Sequence, residues 1–367
     1  MSNTAPVEGS NPSSVLRSFH PGWFGAVMGT GIVGVIAYLN PGDQSGLLRT
    51  AHGVGVAVAI VAWVAAVAIA VPYLTRMFRH PEASLQDLRH PIVGALYATL
   101  PAAVIVLAAT TATVGKSLLS ADAVFTIVAI LAAIGGVLSF AIGVVFAYIL
   151  FCGDGPPAEA PNGGWFIPPV VSILIPLSLA PLLPRVGTPT ARLLLFVGYA
   201  AWGIGFFLFL LVAAVLFQRL VFHALPPAQL APSIWIGLGP IGAGSLALLK
   251  LAHAGAPIWG DSGAAVEKTT SVAAAVLWGF GVWWLAIAAL TLIRYLRVGR
   301  LPYSAGWWAF TFPLGAYTAS TLELARTWHL GLLEWFAVAL FLLLVGFWLT
   351  VCARTLQAMR TGEAWQR

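Results

Sequence analysis

Apolar residues gather into ten runs along this chain, approximately 21–39, 53–74, 92–114, 123–151, 165–183, 193–217, 232–249, 270–293, 305–322 and 330–351. None alternates polar with apolar as a half-buried strand would, and each has the length of a helix crossing the hydrocarbon core of a bilayer at about 1.5 Å per residue. The polar and charged residues collect in the intervals between runs. The pattern predicts an all-α polytopic membrane protein with ten transmembrane helices.

A second pattern is laid over the first. Proline stands inside odd-numbered runs, with Pro101 in the third, Pro176 in the fifth, Pro240 in the seventh and Pro313 in the ninth. Run one has Gly29-Thr30-Gly31 in the corresponding place, whereas runs four, six, eight and ten have no interior proline and Pro72 lies close to the end of run two. The odd runs recur about every 70 residues, the signature of a repeat of two helices per unit. The breaks come roughly eight to eleven residues into each odd run, which is about mid-depth in a bilayer. Broken helices are tolerated in lipid where they line a cavity or pack on protein. The expectation is therefore five helical hairpins around a central pore, with odd helices kinked and inner and even helices outer.

The ninth run sharpens this. Residues 305–322 carry no charge, and Phe312-Pro313 stands at their middle. Proline removes a donor and clashes one turn back, so a kink and a freed carbonyl are expected near Ala309. A Phe on such a break serves either as a packing wedge or as a plug in an aqueous path.

Composition excludes a soluble globular chain: of 367 residues 60% are hydrophobic and only 8% charged, against about a quarter charged in soluble domains. The formal charge of +6 resides in loops and tails, where it reports topology before any nucleic-acid partner, and none is expected. Arg17, Arg76, Arg79, Arg89, Arg219, Arg294, Arg297, Arg300, Arg354, Arg360 and Arg367 lie on the side of the termini. The opposite side holds Arg49, Lys116, Arg185, Arg192, Lys250, Lys268 and Arg326. The excess predicts cytoplasmic termini in a cell or bacterial inner membrane. Residues 1–18 have no signal-peptide pattern and are expected to form a disordered cytoplasmic tail, 19–355 the ten-helix pore domain and 356–367 a C-terminal cytoplasmic tail.

Chemistry for covalent catalysis is not evident: no nucleophile with an adjacent base, no phosphate-cradling loop, and no His spacing suited to a metal. The prediction is a non-enzyme without cofactor or metal. Cys152 and Cys352 lack the setting of a disulfide or metal site. No run carries Lys, Arg, Asp or Glu near its middle, Glu323, Glu334 and Lys250 coming nearest. A proton-coupled carrier usually keeps an ionisable group at membrane depth, so the favourable terms for an ion are expected from exposed backbone, half-helix dipoles and hydroxyls such as Thr30, Thr99, Ser172, Ser245 and Thr311. Those hydroxyls have an equally good use in bonding their own backbone carbonyls. Gly237, Gly239, Gly242 and Gly244 serve either close helix contact or an ion path.

Phe19-His20-Pro21-Gly22-Trp23-Phe24, followed by Met28-Gly29-Thr30-Gly31-Ile32, resembles the opening helix of the tellurite-resistance/dicarboxylate transporter family. Gly237-Leu238-Gly239-Pro240-Ile241-Gly242 and the stretch Trp307-Trp308-Ala309-Phe310-Thr311-Phe312-Pro313-Leu314-Gly315 resemble its seventh and ninth helices. The resemblance implies a homotrimer, each protomer a ring of five hairpins with its own pore, occluded by a phenylalanine of the ninth helix. By the motif Trp-Ala-Phe-Xaa-Phe that gate falls on Phe312, with Phe310 half a turn away as the alternative. Gly29, Thr30, Gly31, Thr99, Pro101, Pro176, Gly239, Pro240, Thr311 and Pro313 are the expected pore-lining or substrate residues. The family includes malate and sulfite permeases, tellurite-resistance proteins and slow-type anion channels. The expected substrate is a small anion such as a C4-dicarboxylate, sulfite or chloride. Residues 28–32 lean toward the malate and sulfite branch. A proton- or ion-coupled carrier, a tellurite-type permease and a non-transporting scaffold or sensor stand as alternatives.

Overall fold

The computed structural model describes residues 12–42, 48–153, 155–299 and 301–365. Residues 1–11 of the expected tail, and the charges of Arg300 and Arg367, lie outside them. The described residues form helices and no strand, and helix occupies all ten apolar runs. In chain order these are α1 (Phe24–Leu39), α2 (Leu48–Arg79), α3 (Thr99–Val114), α4 (Ala121–Cys152), α5 (Ile167–Leu179), α6 (Thr188–Phe222), α7 (Leu238–Gly255), α8 (Gly263–Val298), α9 (Phe312–Thr327) and α10 (Gly331–Thr361). Eight continuous helical stretches are long and apolar enough to cross a membrane. One of them, Ala228–Val298, holds both α7 and α8, joined through a turn where Gly260 takes a positive φ of 54°. The ninth run falls short of the length required because Thr311 divides it.

Each odd helix packs on the even helix that follows it, giving five hairpins. The odd helices also touch in sequence, α1 on α3, α3 on α5, α5 on α7 and α7 on α9, and α9 closes on α1. This is a ring of five. The most apolar stretch of α5 is 89% buried and that of α6 only 22%, which separates inner from outer helices although the outer one is the more apolar. Ile60, Val64, Val137, Phe196, Leu211, Val276 and Leu342 of the outer helices are exposed as they would be to lipid.

The kinks require correction. Pro101, Pro240 and Pro313 do not interrupt α-helices; they occupy the second or third residue of α3, α7 and α9. There a missing N–H costs nothing, because the first amides of a helix have no intrahelical acceptor. The break lies just before them, where a 3-10 segment (Gly94–Ala98, Ala228–Gly237 or Ala305–Phe310) hands over to the α-helix. The equivalent of these residues in α5 is Pro168-Pro169 after the 3-10 turn Gly163–Phe166, whereas Pro176 is interior, three residues before the helix ends. Gly29-Thr30-Gly31 does not break α1, which runs unbroken from the 3-10 turn Pro21–Trp23. The inner α-helices begin at residues 24, 99, 167, 238 and 312, which renders the repeat more regularly than the prolines do.

The described parts of the two expected tails, 12–18 and 356–365, carry helix and make contacts. Pro12–Arg17 is a short helix, and the carbonyl of Arg17 accepts a 2.8 Å bond from Nε of Arg76. Arg76 is fully buried and pairs with Asp87 of the short helix Pro81–Arg89 at 2.5 Å. At the other end α10 continues to Thr361, and Trp365 stacks on Phe19, ring centroids 6.2 Å apart. Tyr303, whose phenol burial holds above its ordinary pKa, donates to Thr355 of α10 at 2.9 Å.

Candidate functional site

Two cavities lie along the axis of the ring, and Phe312 borders both. The smaller, about 110 Å³, sits at the amino-terminal ends of the inner helices. Every inner helix contributes to it: Gly25 and Met28 of α1, Thr99 of α3, Val170 of α5, Gly239 of α7, and Phe312 with Pro313 of α9. The larger, about 1140 Å³, lies at their carboxy-terminal ends. Its walls are stripes of small and aliphatic residues, Ile32 and Val35 on α1, Ala109 and Thr113 on α3, Leu174 and Leu177 on α5, Ala243 and Leu246 on α7, Ala316 and Ala319 on α9.

Local structure places Phe312. Thr311 leaves the ideal helix at φ −95° and ψ −69°, its hydroxyl donates to the carbonyl of Trp308 at 2.7 Å, and Phe312 becomes the first residue of α9. Its side chain is 5% exposed. Close seams hold α9 in position: an added Cβ at Gly315 would run into Ile32 of α1, and at Gly242 into the backbone of Tyr317. Small residues let these backbones meet, as in other membrane helix contacts.

Phe310 faces elsewhere. Its ring packs against Trp235 at 5.7 Å, Trp307 at 6.2 Å and Phe347 of α10 at 5.2 Å, and it borders neither cavity. The two phenylalanines of the motif thus divide between axis and outer wall.

Of the other expected pore residues, Thr99, Gly239 and Pro313 border the smaller cavity. The remainder border neither. Thr30 is turned to the outer helix, where its oxygen accepts from Nε1 of Trp348 at 3.1 Å. Gly29 lies against Thr311 and Trp308, and Gly31 against Val106 and Thr110, so both are helix seams. Thr311 satisfies a backbone carbonyl, and Pro101, Pro176 and Pro240 are buried in the ring wall. Thr99 donates its hydroxyl within hydrogen-bond reach of two carbonyls, Pro21 and Leu96. Ser172 and Ser245 border neither cavity; Ser245 donates to the carbonyl of Ala274 at 3.0 Å.

Two further sets border the cavities, of which the sequence pointed only to Lys250 and Glu323, as the charges nearest to mid-run. Gly22, Gly25, Gly164 and Gly306 border the smaller cavity, as do Ser233 and Trp308, whose Oγ and Nε1 have no hydrogen-bond partner. The larger cavity is bordered by ionisable side chains: Lys116, Arg185, Lys250, His253, Glu267 and Glu323. Lys250 of α7 meets Glu323 of α9 at 2.8 Å, and His253 meets Glu267 at 3.0 Å. Arg185 is engaged by Asp122 at 2.5 Å. A half-exposed pair such as Lys250–Glu323 contributes no more than about 1 kcal/mol to stability. The signal available in the sequence was spacing: 312, 316, 319 and 323 repeat on one face of α9, as 239, 243, 246 and 250 do on α7.

A ring of five hairpins buried at its axis, with cavities opening along that axis and lipid-type residues outside, is the architecture of a multi-pass membrane transport protein. The comparisons narrow the class. A family model described as voltage-dependent anion channel matches residues 18–356, and the chain belongs to that family. A transporter of Methanocaldococcus jannaschii is 31% identical over 352 residues, covering 96% of each chain. The sulfite efflux pump SSU1 of Trichophyton rubrum is 26% identical over 95% of this chain and 92% of its own. The malic acid transport protein of Schizosaccharomyces pombe is 24% identical over a shorter stretch, 34% of this chain and 30% of that protein. The family and these relatives are transporters.

Proposed function

We propose that the chain passes small anions, such as sulfite, a C4-dicarboxylate or chloride, along the axis of its five-helix ring, and that Phe312 is the gate. The observation that carries this reading is that Phe312 alone among the phenylalanines of the described residues borders both cavities. An aromatic side chain between two cavities blocks ions sterically and by excluding water. The amino-terminal ends of the five inner helices border the smaller cavity, and helix amino termini favour anions. Names of relatives support sulfite and malate as candidates. The positive-charge count supports cytoplasmic termini in a cell or bacterial inner membrane. The family resemblance supports a homotrimer embedded in lipid, in which three separate paths would lie side by side.

The test is current across planar bilayers, wild type beside Phe312→Ala, in chloride, sulfite and malate. Conductance about tenfold or more higher in the variant is expected, as for removal of an apolar constriction. Equal conductance from folded, inserted protein would remove Phe312 as the gate. Uptake that saturates and collapses with an imposed proton gradient would replace the channel reading by a coupled carrier.

A further inference from the structure

One lysine–carboxylate contact lies on the path itself. Glu323 shares the face of α9 that carries Phe312, Ala316 and Ala319, and Lys250 shares the face of α7 that carries Gly239, Ala243 and Leu246. At 1.5 Å per residue each charge stands about 16 Å along its helix from the level of the gate. Both line the larger cavity, and their side chains remain 43% and 27% exposed. The other basic residues of that wall differ. Arg185 is held by Asp122 and by the carbonyl of Ala121, and it lies over the ring of Phe125 at 5.3 Å. His253 meets Glu267, a carboxylate of the same wall, but an imidazole carries charge only when protonated, and Lys116 has no ion pair among the described residues. Lys250 therefore has a carboxylate bound to it that belongs to the protein, inside the cavity that an anion on this path must cross.

We propose that Lys250 is an anion-binding site of the path and that Glu323 is its built-in competitor, occupying the place of a small carboxylate or oxoanion until a mobile anion displaces it. The proposal rests on the axial path described above. Exposure makes the exchange accessible: a pair open to water is weakly held, and its ammonium keeps two further donors for an incoming oxygen. A site that attracts but does not trap also satisfies the need of conduction that the ion leave again. Its preference is for carboxylates and oxoanions, such as malate or sulfite, over a halide, since a tethered carboxylate already fits there. Specificity is then set by the difference between the mobile anion and Glu323, not by Lys250 alone.

The test uses opposite signs. Full-length protein carrying Phe312→Ala, to provide current, is compared with the same protein bearing Lys250→Gln, Glu323→Gln or both. Lys250→Gln leaves an unopposed carboxylate on the path, and it is expected to lower sulfite and malate current at low concentration roughly tenfold and to shift the reversal potential toward cations. Glu323→Gln is expected to do the reverse, lowering the half-saturating concentration roughly threefold or more, with the double variant between the two. A pair that only braces α7 against α9 would move both single variants in the same direction, and that result, or no change in either, overturns the proposal. A second readout needs no current: sulfite should raise the unfolding temperature of purified Glu323→Gln more than that of the wild type, and should not raise that of Lys250→Gln. If Phe312→Ala is silent while this binding pattern holds, the gate reading fails and the site stands. If Phe312→Ala conducts and sulfite acts on all variants alike, the site fails and the gate stands.

Discussion

The two cavities present an anion with different chemistry. The smaller is about a tenth the volume of the larger, and among the described residues it is bordered by no Lys, Arg, Asp or Glu. Whatever favours an anion there comes from backbone amides at helix starts, from hydroxyls, from the indole N–H of Trp308 and from the side chains of His20, Asn162 and Gln229. The larger cavity has room for an ion with its water, and its cations are mostly engaged by carboxylates. On the path proposed above, the wide end would sort by charge at low cost, and the narrow end would demand dehydration. Phe312 stands where one regime gives way to the other.

The largest effect is expected at that border. Phe312→Ala should join the cavities and raise conductance by the factor of about ten or more given above, with the gain measured as single-channel current. Phe310→Ala sharpens the contrast from the other side. Its ring fills the wall against Trp235 and Phe347, so its loss should destabilise the protein by about 3–5 kcal/mol, seen as a lower unfolding temperature in detergent, without opening the path. Current from Phe310→Ala comparable to that from Phe312→Ala would erase the distinction between the two residues. Next comes the seam that holds α9: Gly242→Ala should cost about 1–3 kcal/mol, because the new methyl meets the backbone of Tyr317 and a helix has to shift. The smallest effect belongs to Thr30→Val, which removes the acceptor of Trp348 Nε1 at a cost of about 1 kcal/mol. Its anion selectivity should stay that of the wild type; a changed reversal potential would put Thr30 back on the path.

Most of the architecture was legible in the sequence because the bilayer writes it into hydropathy. Ten runs, a period near 70 residues and the division into inner and outer helices all follow from where charge is absent and where proline is tolerated. The meaning of the prolines was not legible. A proline that interrupts a helix and one that begins it look alike until the preceding residues are known to be 3-10, and local propensity does not separate those states. Facing was lost with it. The direction of Thr30 depends on helical phase counted from the start of the α-segment, and Thr311 stands just before one. For the same reason Phe310 and Phe312, two residues apart, were separated only by the motif resemblance. The pair Lys250–Glu323 lies on helices joined only through the ring, and nothing local in either stretch announces the other.

The ring of five hairpins comes from one chain, and its five walls are unlike. A pore assembled from identical subunits repeats every substitution around its axis, so one mutation strikes all sides at once. Here a single exchange alters one fifth of the circumference. In the gate reading proposed above, the barrier is one phenylalanine ring from one wall. Selection can therefore retune aperture, charge or gate in single steps, and each retuned path is inherited through a single codon.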